Sequence, residues 1–118
     1  MKKGCSETKL IHIDVDNSII DHIDFIFKTK KESSVDAISE KSYFSDGSGE
    51  VQYDSELGFY SIVFSKEETI LFPANGLIYM DTRIVLKDGQ IPETEIVSFR
   101  IQPTLFDGVD EHGTSSNS

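Results

Sequence analysis

The sequence has no tryptophan, one cysteine, three prolines and no long apolar run. Because Cys5 is the only thiol, no intramolecular disulfide can form, and small secreted domains usually carry several disulfides. An intracellular origin is therefore favoured. No stretch approaches the ~20 apolar residues of a membrane span, and the polar residues 6–9 follow the basic start directly, so we expect no signal peptide and no membrane contact.

Basic residues are also scarce. The 118 residues include 11 Lys and Arg against 21 Asp and Glu, which gives a net charge of -10. Such a chain repels a phosphate backbone, so we expect no nucleic-acid partner. The net charge is unevenly distributed along the chain: it is +1 over residues 1–31 and -11 over residues 32–118. We interpret the acidic side chains as solvent-exposed groups on the surface of a folded domain. The alternative is that the uneven charge guides the approach of a binding partner.

Motifs of catalysis and metal binding are missing as well. The sequence has no phosphate-binding glycine loop and no nucleophile with a recognisable base, so we predict no enzymatic activity and no cofactor. His12 and His22 match no zinc-ligand spacing. Segments starting at Asp14 and Asp46 imitate the beginning of a calcium loop, but both lack the glycine required at its sixth position. We therefore predict turn chemistry at both places and no metal site.

Alternation of apolar and polar residues with a period of two is the main structural pattern, and it predicts half-buried β-strands. The clearest example is the second strand, where Ile23, Phe25 and Phe27 share one side. The strand over 35–44 carries diluting charges, which are typical of a sheet edge. The predicted strands before the final hairpin cover residues 10–16, 23–29, 35–44, 51–53 and 59–64.

A single helical turn is predicted near residues 66–71. Ser65 and Glu68 have the spacing of a capping box, in which each side chain binds the backbone N–H of the other residue. Pro73 ends the turn because proline cannot continue a helix.

The last two strands are predicted to form a hairpin around Asp88-Gly89. Asp-Gly is typical of a type I′ turn, which would place Lys87 opposite Gln90. In that register the apolar residues fall on one side of the ribbon, as an antiparallel outer sheet requires. The predicted pairs on the apolar side are Leu86 with Ile91, Met80 with Val97 and Ile78 with Phe99. The pairs Tyr79 with Ser98 and Leu77 with Arg100 are predicted on the other, more polar side.

About seven short strands with regularly spaced turns indicate an all-β fold: an antiparallel two-sheet sandwich of immunoglobulin-like type, without the Cys-Trp-Cys core of antibody domains. We predict one domain over residues 1–110. Residues 111–118 are polar and are predicted to be a disordered tail.

The most promising contact residues lie on the last two predicted strands. Arg83 and Arg100 are the only arginines, and Tyr79 lies on the same, more polar side of the hairpin. Aromatic residues with arginine on an outer sheet face are typical of protein interfaces. Ordinary cross-strand packing is the alternative explanation. We predict Tyr79, Arg83 and Arg100 as a partner-contact surface.

Four segments carry a familiar pattern: Phe59 to Phe72, Asp81-Thr82-Arg83, Lys87-Asp88-Gly89 and Ile96 to Ile101. Together they resemble a family of small proteins encoded among the virion structural genes of phages and prophages of Gram-positive gut bacteria. The family pattern is a "Leu-Thr-x-Glu-x-Thr" turn, a "Gln-x-Arg" strand, an "Asp-Gly" hairpin and a "Ser-x-Ile" return. Glu67, Thr69, Arg83 and Ile96 match, while Phe64, Ser65, Asp81 and Thr94 differ from the pattern. With the N-terminal part, the resemblance covers about residues 6–109.

The predicted fold is also similar to the N-terminal immunoglobulin-like domain of phage baseplate upper proteins. This resemblance implies a non-enzymatic structural role in a tail or baseplate, with other virion or prophage proteins as partners and a homo-oligomer as a further option. The chain would be made in the bacterial cytoplasm and would then enter the virion. The alternative is a carbohydrate-binding sandwich that uses Tyr43, Tyr53 and Tyr60 as an aromatic platform.

Overall fold

The computed structural model describes residues 4–31, 37–73 and 76–101. The predicted tail at 111–118, and the end of the predicted domain beyond residue 101, lie outside the described residues. The elements in chain order are β1 (Glu7–Ile11), a 3₁₀ turn (Asn17–Ile19), β2 (Ile20–Lys28), β3 (Ser39–Phe44), β4 (Gln52–Asp54), β5 (Phe59–Phe64), α1 (Lys66–Thr69), β6 (Leu77–Leu86) and β7 (Val97–Arg100).

The strands form two antiparallel sheets. A four-stranded sheet has the order β3-β2-β6-β7, and a three-stranded sheet has the order β1-β5-β4. The edge position predicted for the strand over 35–44 is confirmed, since β3 is a terminal strand of its sheet. The strand predicted over 59–64 is confirmed to the residue as β5.

The two sheets pack face to face. Ile23, Phe25 and Phe27 of β2 are fully buried, as their alternation predicts. The ring of Phe27 contacts that of Phe64 on β5 edge to face, with centroids 4.9 Å apart. Such aromatic contacts between facing strands close the core from both sides.

The strand order identifies the sandwich as immunoglobulin-like. The sequence β7-β6-β2-β3 corresponds to strands G-F-C-C′ of that fold, and β1-β5-β4 corresponds to B-E-D. The described residues contain no counterpart of strand A. The predicted all-β, antiparallel two-sheet immunoglobulin-like sandwich is therefore confirmed.

The predicted first strand needs correction. Regular pairing covers Glu7–Ile11 only, whereas the prediction ran from Leu10 to Asp16. Ile13 and Val15 still pack against the core, so the alternation continues where the pairing does not. The reason is local: the Asp16 carboxylate accepts hydrogen bonds from the Ser18 N–H and hydroxyl and so caps the 3₁₀ turn. The chain crosses between the sheets through this segment.

The helical turn between β5 and β6 has the predicted capping box. The Ser65 hydroxyl accepts from the Glu68 N–H at 3.1 Å, and the Glu68 carboxylate accepts from the Ser65 N–H at 2.9 Å. The α-helical part is short, Lys66–Thr69. Glu68 also contacts β3, where the Lys41 ammonium lies 2.6 Å from its carboxylate. This ion pair connects the turn to the edge of the four-stranded sheet.

The final hairpin has the predicted strand register but a different turn. Four of the predicted pairs are observed, from Leu77 with Arg100 to Met80 with Val97. At the tip, however, the Leu86 N–H donates to the Gln90 carbonyl and Gly89 has φ +90°. This is a three-residue loop over 87–89 with a left-handed glycine, in place of the type I′ turn.

Two contacts explain the different turn. The Asp88 carboxylate accepts a hydrogen bond from the Gln90 N–H at 2.9 Å. The Lys87 N–H donates a hydrogen bond to the Ile19 carbonyl and is therefore not available for pairing within the hairpin. Residues 91–96 then remain outside the ladder, as expected near Pro92, which has no N–H to donate. The Thr94 hydroxyl donates to the Thr82 carbonyl there in place of a backbone pair.

Candidate interaction surface

One face of the four-stranded sheet points away from the core, and we call it the outer face. It is mixed in character, with acidic, basic, apolar and aromatic side chains on adjacent strands. Its members follow from the alternation along each strand and include His22, Asp24, Ile26 and Lys28 on β2, Ser42 and Phe44 on β3, Tyr79, Asp81 and Arg83 on β6, and Ser98 and Arg100 on β7.

A concave basin of about 140 Å³ lies on this face, where β2 ends and β6 begins. Three of the lining side chains are apolar or aromatic, and we call them the floor: Ile26 and Tyr79, which are half-buried, and Ile96, which is 39% exposed. The other four lining side chains are charged, and we call them the rim: Lys28, Lys30, Lys31 and Asp81.

The basin is basic in an acidic protein. Three lysines and one aspartate line it, whereas the whole chain has a net charge of -10. The Lys31 ammonium lies 5.6 Å from the centre of the Tyr79 ring, within cation–π range. A concave site with an apolar floor and a cationic rim is suited to a group that carries both an apolar side chain and a carboxylate.

The three predicted contact residues all lie on the outer face, but only one lines the basin. Tyr79 is partly exposed and contributes its ring to the basin floor. Arg83 and Arg100 are exposed and lie elsewhere on the face. Arg83 is the cross-strand neighbour of Asp24, whose carboxylate also accepts from the Ser42 hydroxyl at 2.8 Å. The strands therefore bring the three residues to one face without joining them into one cluster.

Sequence reasoning missed the lysines and the isoleucines of the basin. Lys28, Lys30 and Lys31 follow one another near the end of β2, while Ile96 comes from the irregular segment before β7. The uneven charge was the available signal, because half of the six lysines in residues 1–31 belong to this group. Only the strand register shows that they meet Tyr79.

The tyrosines considered as a sugar platform are mostly in the core, which corrects that expectation. Tyr43 is 7% exposed and Tyr60 is 1% exposed, and Tyr53 packs against the Tyr60 ring at 4.7 Å between centroids. The Asn17 amide donates to the hydroxyls of Tyr43 and Tyr60 at 3.0 and 2.9 Å. Burial raises the pKa of Tyr60, against the opposing effect of the Asn17 hydrogen bond. This cluster connects the two sheets.

The candidate metal residues have other partners. His12 packs against Phe59 with ring centroids 6.2 Å apart, and the His22 Nδ1 lies 2.7 Å from the Asp21 carboxylate. The Asp46 carboxylate accepts from the Ser48 N–H, which is turn chemistry. Across residues 4–31, 37–73 and 76–101 no group of three or more His, Cys, Asp or Glu side chains is placed to hold a metal ion. No helix in the same ranges is long and apolar enough to cross a membrane.

Comparison with known proteins gives one distant structural likeness. No protein-family model matches the chain, and no curated protein matches it significantly in sequence. The extracellular domain of the voltage-gated sodium channel β4 subunit, described as a parallel homodimer with a role in cell-cell adhesion, is similar in structure at 9% identity and a TM-score of 0.44. The match covers 86% of this chain and 85% of that one. At this level the likeness has no bearing on function, and the fold assignment rests on the strand order.

Proposed function

We propose that this chain is a non-enzymatic assembly module that binds another protein through the outer face of its four-stranded sheet. The basin is the observation that carries the proposal. It offers an apolar floor of Ile26, Tyr79 and Ile96 in which a side chain of the partner is desolvated. Anchor residues that fill such pockets contribute most of the free energy of protein association.

Charge gives the surface its selectivity. Lysine is depleted at the centres of protein interfaces, so the rim position of Lys30 and Lys31 fits a role in attraction and orientation. Rim charges mainly change the association rate and its salt dependence. An acidic partner segment is therefore favoured, although the protein as a whole is acidic.

The setting that we propose is a phage or prophage virion, where the chain would be a tail or baseplate component. This part of the proposal depends only on the sequence resemblance over residues 6–109. Flanking genes for tail or holin proteins would support it, and their absence around the gene would weigh against it.

Carbohydrate recognition remains the second candidate, and it would have to use a different residue from those first considered. Tyr79 is the tyrosine that combines partial exposure with a concave site. One aromatic ring with surrounding lysines would favour an acidic sugar. The observations support a protein partner better, because the basin floor includes two isoleucines, Ile26 and Ile96.

The test compares the purified chain with a variant in which Lys30 and Lys31 are both changed to Glu. Proteins encoded by the flanking genes are immobilised on a biosensor, and a glycan array is run in parallel. We expect saturable, salt-sensitive binding to at least one protein, with an association rate that falls in the variant. A monomer that binds a defined sugar and none of these proteins would contradict the proposal.

A further inference from the structure

The turn between β4 and β5 presents an exposed leucine on a fixed backbone. The Asp54 carboxylate accepts from the N–H groups of Glu56 and Leu57 at 2.9 and 3.2 Å, and the Gly58 N–H donates to the Asp54 carbonyl at 2.7 Å. Gly58 has φ +78°, a conformation that favours glycine. The turn thus holds Leu57, which is 67% exposed, outward beside Glu56.

This turn lies in a part of the chain whose charged residues are all acidic. Residues 42–65 contain no Lys or Arg, and they include Asp46, Glu50, Asp54 and Glu56. Leu57 therefore has the combination that the basin is suited to receive, an apolar side chain flanked by carboxylates. An exposed leucine costs the isolated domain solvation free energy, which is recovered if a partner buries it.

The basin has room for one such side chain. Its volume is about 140 Å³, and an engineered apolar cavity of roughly 150 Å³ holds a benzene molecule. With the leucine on the floor of Ile26, Tyr79 and Ile96, the Glu56 carboxylate would come to the rim that carries Lys30 and Lys31.

The turn and the basin of one molecule cannot meet, because they lie at opposite ends of the sandwich. The start of β5 is next to the start of β2, where Asn17 binds the Tyr60 hydroxyl. The end of β5 is next to the end of β2, where Phe64 contacts Phe27. The basin is at that second end, and a nine-residue strand separates the two by roughly 26 Å at about 3.3 Å per residue.

From these contacts we infer that the basin binds the β4–β5 turn of a second copy of this chain. The inference rests on the proposed function and names its partner. The interface is heterologous: each copy offers its turn to one neighbour and its basin to another. Repetition of such a contact builds a ring if the rotation closes and a filament if it does not.

The experiment uses the full chain in sedimentation velocity over a range of concentrations, at about 0.1 M salt, where the repulsion between two chains of net charge -10 is largely screened beyond about 10 Å. We expect the average mass to rise above 13.2 kDa with concentration. Leu57→Ser and the Lys30→Glu/Lys31→Glu double variant should each weaken association at least tenfold. Burial of a leucine side chain is worth more than the energy that corresponds to one factor of ten.

Leu71→Ser is the matched control. Leu71 is also 67% exposed, but it lies beyond α1 at the basin end of the sandwich. The Leu71→Ser variant should therefore associate as strongly as the unchanged chain. Circular dichroism checks that all variants are folded.

Mixing the two defective variants gives the sharpest outcome. The Leu57→Ser chain keeps its basin and the double-lysine variant keeps its turn, so an equimolar mixture should form a dimer that grows no further. A mixture that stays monomeric while the unchanged chain associates would overturn the inference.

The same data separate this inference from the proposed function. If the unchanged chain stays monomeric up to millimolar concentration, the second copy is excluded as the occupant. Loss of binding of the double-lysine variant to a neighbouring virion protein would then still support the outer face as the interaction surface. If that binding is also unaffected, both proposals fail.

Discussion

The ion pair between Lys41 and Glu68 allows a quantitative prediction of stability. The Lys41 side chain is 12% exposed and that of Glu68 is 31% exposed, and the charged atoms are 2.6 Å apart. Glu68 also accepts from the Ser39 hydroxyl and the Ser65 N–H, and the Lys41 ammonium lies 5.5 Å from the centre of the Phe64 ring. The pair is thus partly shielded from water, and both carboxylate oxygens of Glu68 accept hydrogen bonds.

The perturbations are Lys41→Met and Glu68→Gln. Methionine keeps an apolar stem without the charge, and glutamine keeps the capping-box hydrogen bond, so each removes little besides the ion pair. Surface pairs are worth about 0–1 kcal/mol and breaking a buried pair costs about 3–5 kcal/mol. For this partly shielded pair we expect each variant to lose about 2 kcal/mol in the free energy of unfolding, near the middle of the range for charged hydrogen bonds.

The pH dependence gives an independent signature. Burial is the largest single effect on the pKa of Glu68 and acts to raise it, but the hydrogen bonds from Lys41, the Ser65 N–H and the Ser39 hydroxyl, together with the charge of Lys41, outweigh burial and lower the pKa below its ordinary value of 4.5. A lowered pKa in the folded state stabilises the fold above pH 4.5, and this stabilisation is lost as the pH falls through the folded-state pKa. The stability difference between the unchanged chain and Glu68→Gln should therefore be constant near neutral pH and shrink in acid.

Urea unfolding of the two single variants and the double variant gives the coupling energy directly. We expect a coupling of about 1.5 kcal/mol and a fall in Tm of roughly 6–10 °C for each single variant. Lys66→Met, at an exposed position on α1, is the control and should change stability by less than about 0.5 kcal/mol. A coupling energy below about 0.5 kcal/mol would show that the pair behaves as a surface pair and would refute this reasoning.

Three further outcomes are expected. Asn17→Ala removes the donor shared by the Tyr43 and Tyr60 hydroxyls and should lower stability by about 1–3 kcal/mol in chemical unfolding, whereas a neutral change would mean that these hydroxyls find other partners. Gly49→Ala places a Cβ in overlap with the Ser42 carbonyl oxygen and should cost about 1–3 kcal/mol, so a stabilised variant would contradict the described approach of the two segments. Binding of a partner to the basin should weaken steeply between 0.05 and 0.5 M salt, because charge interactions at the rim are screened beyond about 10 Å at 0.1 M salt. Binding that does not depend on salt would contradict a role for Lys30 and Lys31 in attracting the partner.

Much of the fold could be predicted from the sequence because its determinants are local. The alternation of Ile23, Phe25 and Phe27 fixes which side of β2 is buried, and Ser65 with Glu68 fixes where the helical turn begins. The predicted type I′ turn at the final hairpin was wrong, and the reason is physical. The dipeptide Asp-Gly suits two loop types, and the choice depended on a hydrogen bond that the Lys87 N–H donates to the distant Ile19 carbonyl.

The candidate site was less predictable because its parts come from distant positions. The basin combines the end of β2 with the start of β6 and with Ile96, and only the register of three strands brings them together. Tyr43 and Tyr60 show the opposite case. Tyr60 alternates with the buried Ile62 and Phe64, which places it on the core side of β5. The Asn17 amide donates to the hydroxyls of Tyr43 and Tyr60 and so allows both rings to be buried.

The most direct test of the outer face as the interaction surface is a map of amide chemical shifts in the ¹⁵N-labelled chain as an unlabelled binding partner is added. We expect the largest changes around the basin, at Ile26, Lys30 and Tyr79, with little change on the outer side of the three-stranded sheet. Changes centred instead on the exposed Leu10 and Val63 of that other sheet would show that the outer face of the four-stranded sheet is not the interaction surface.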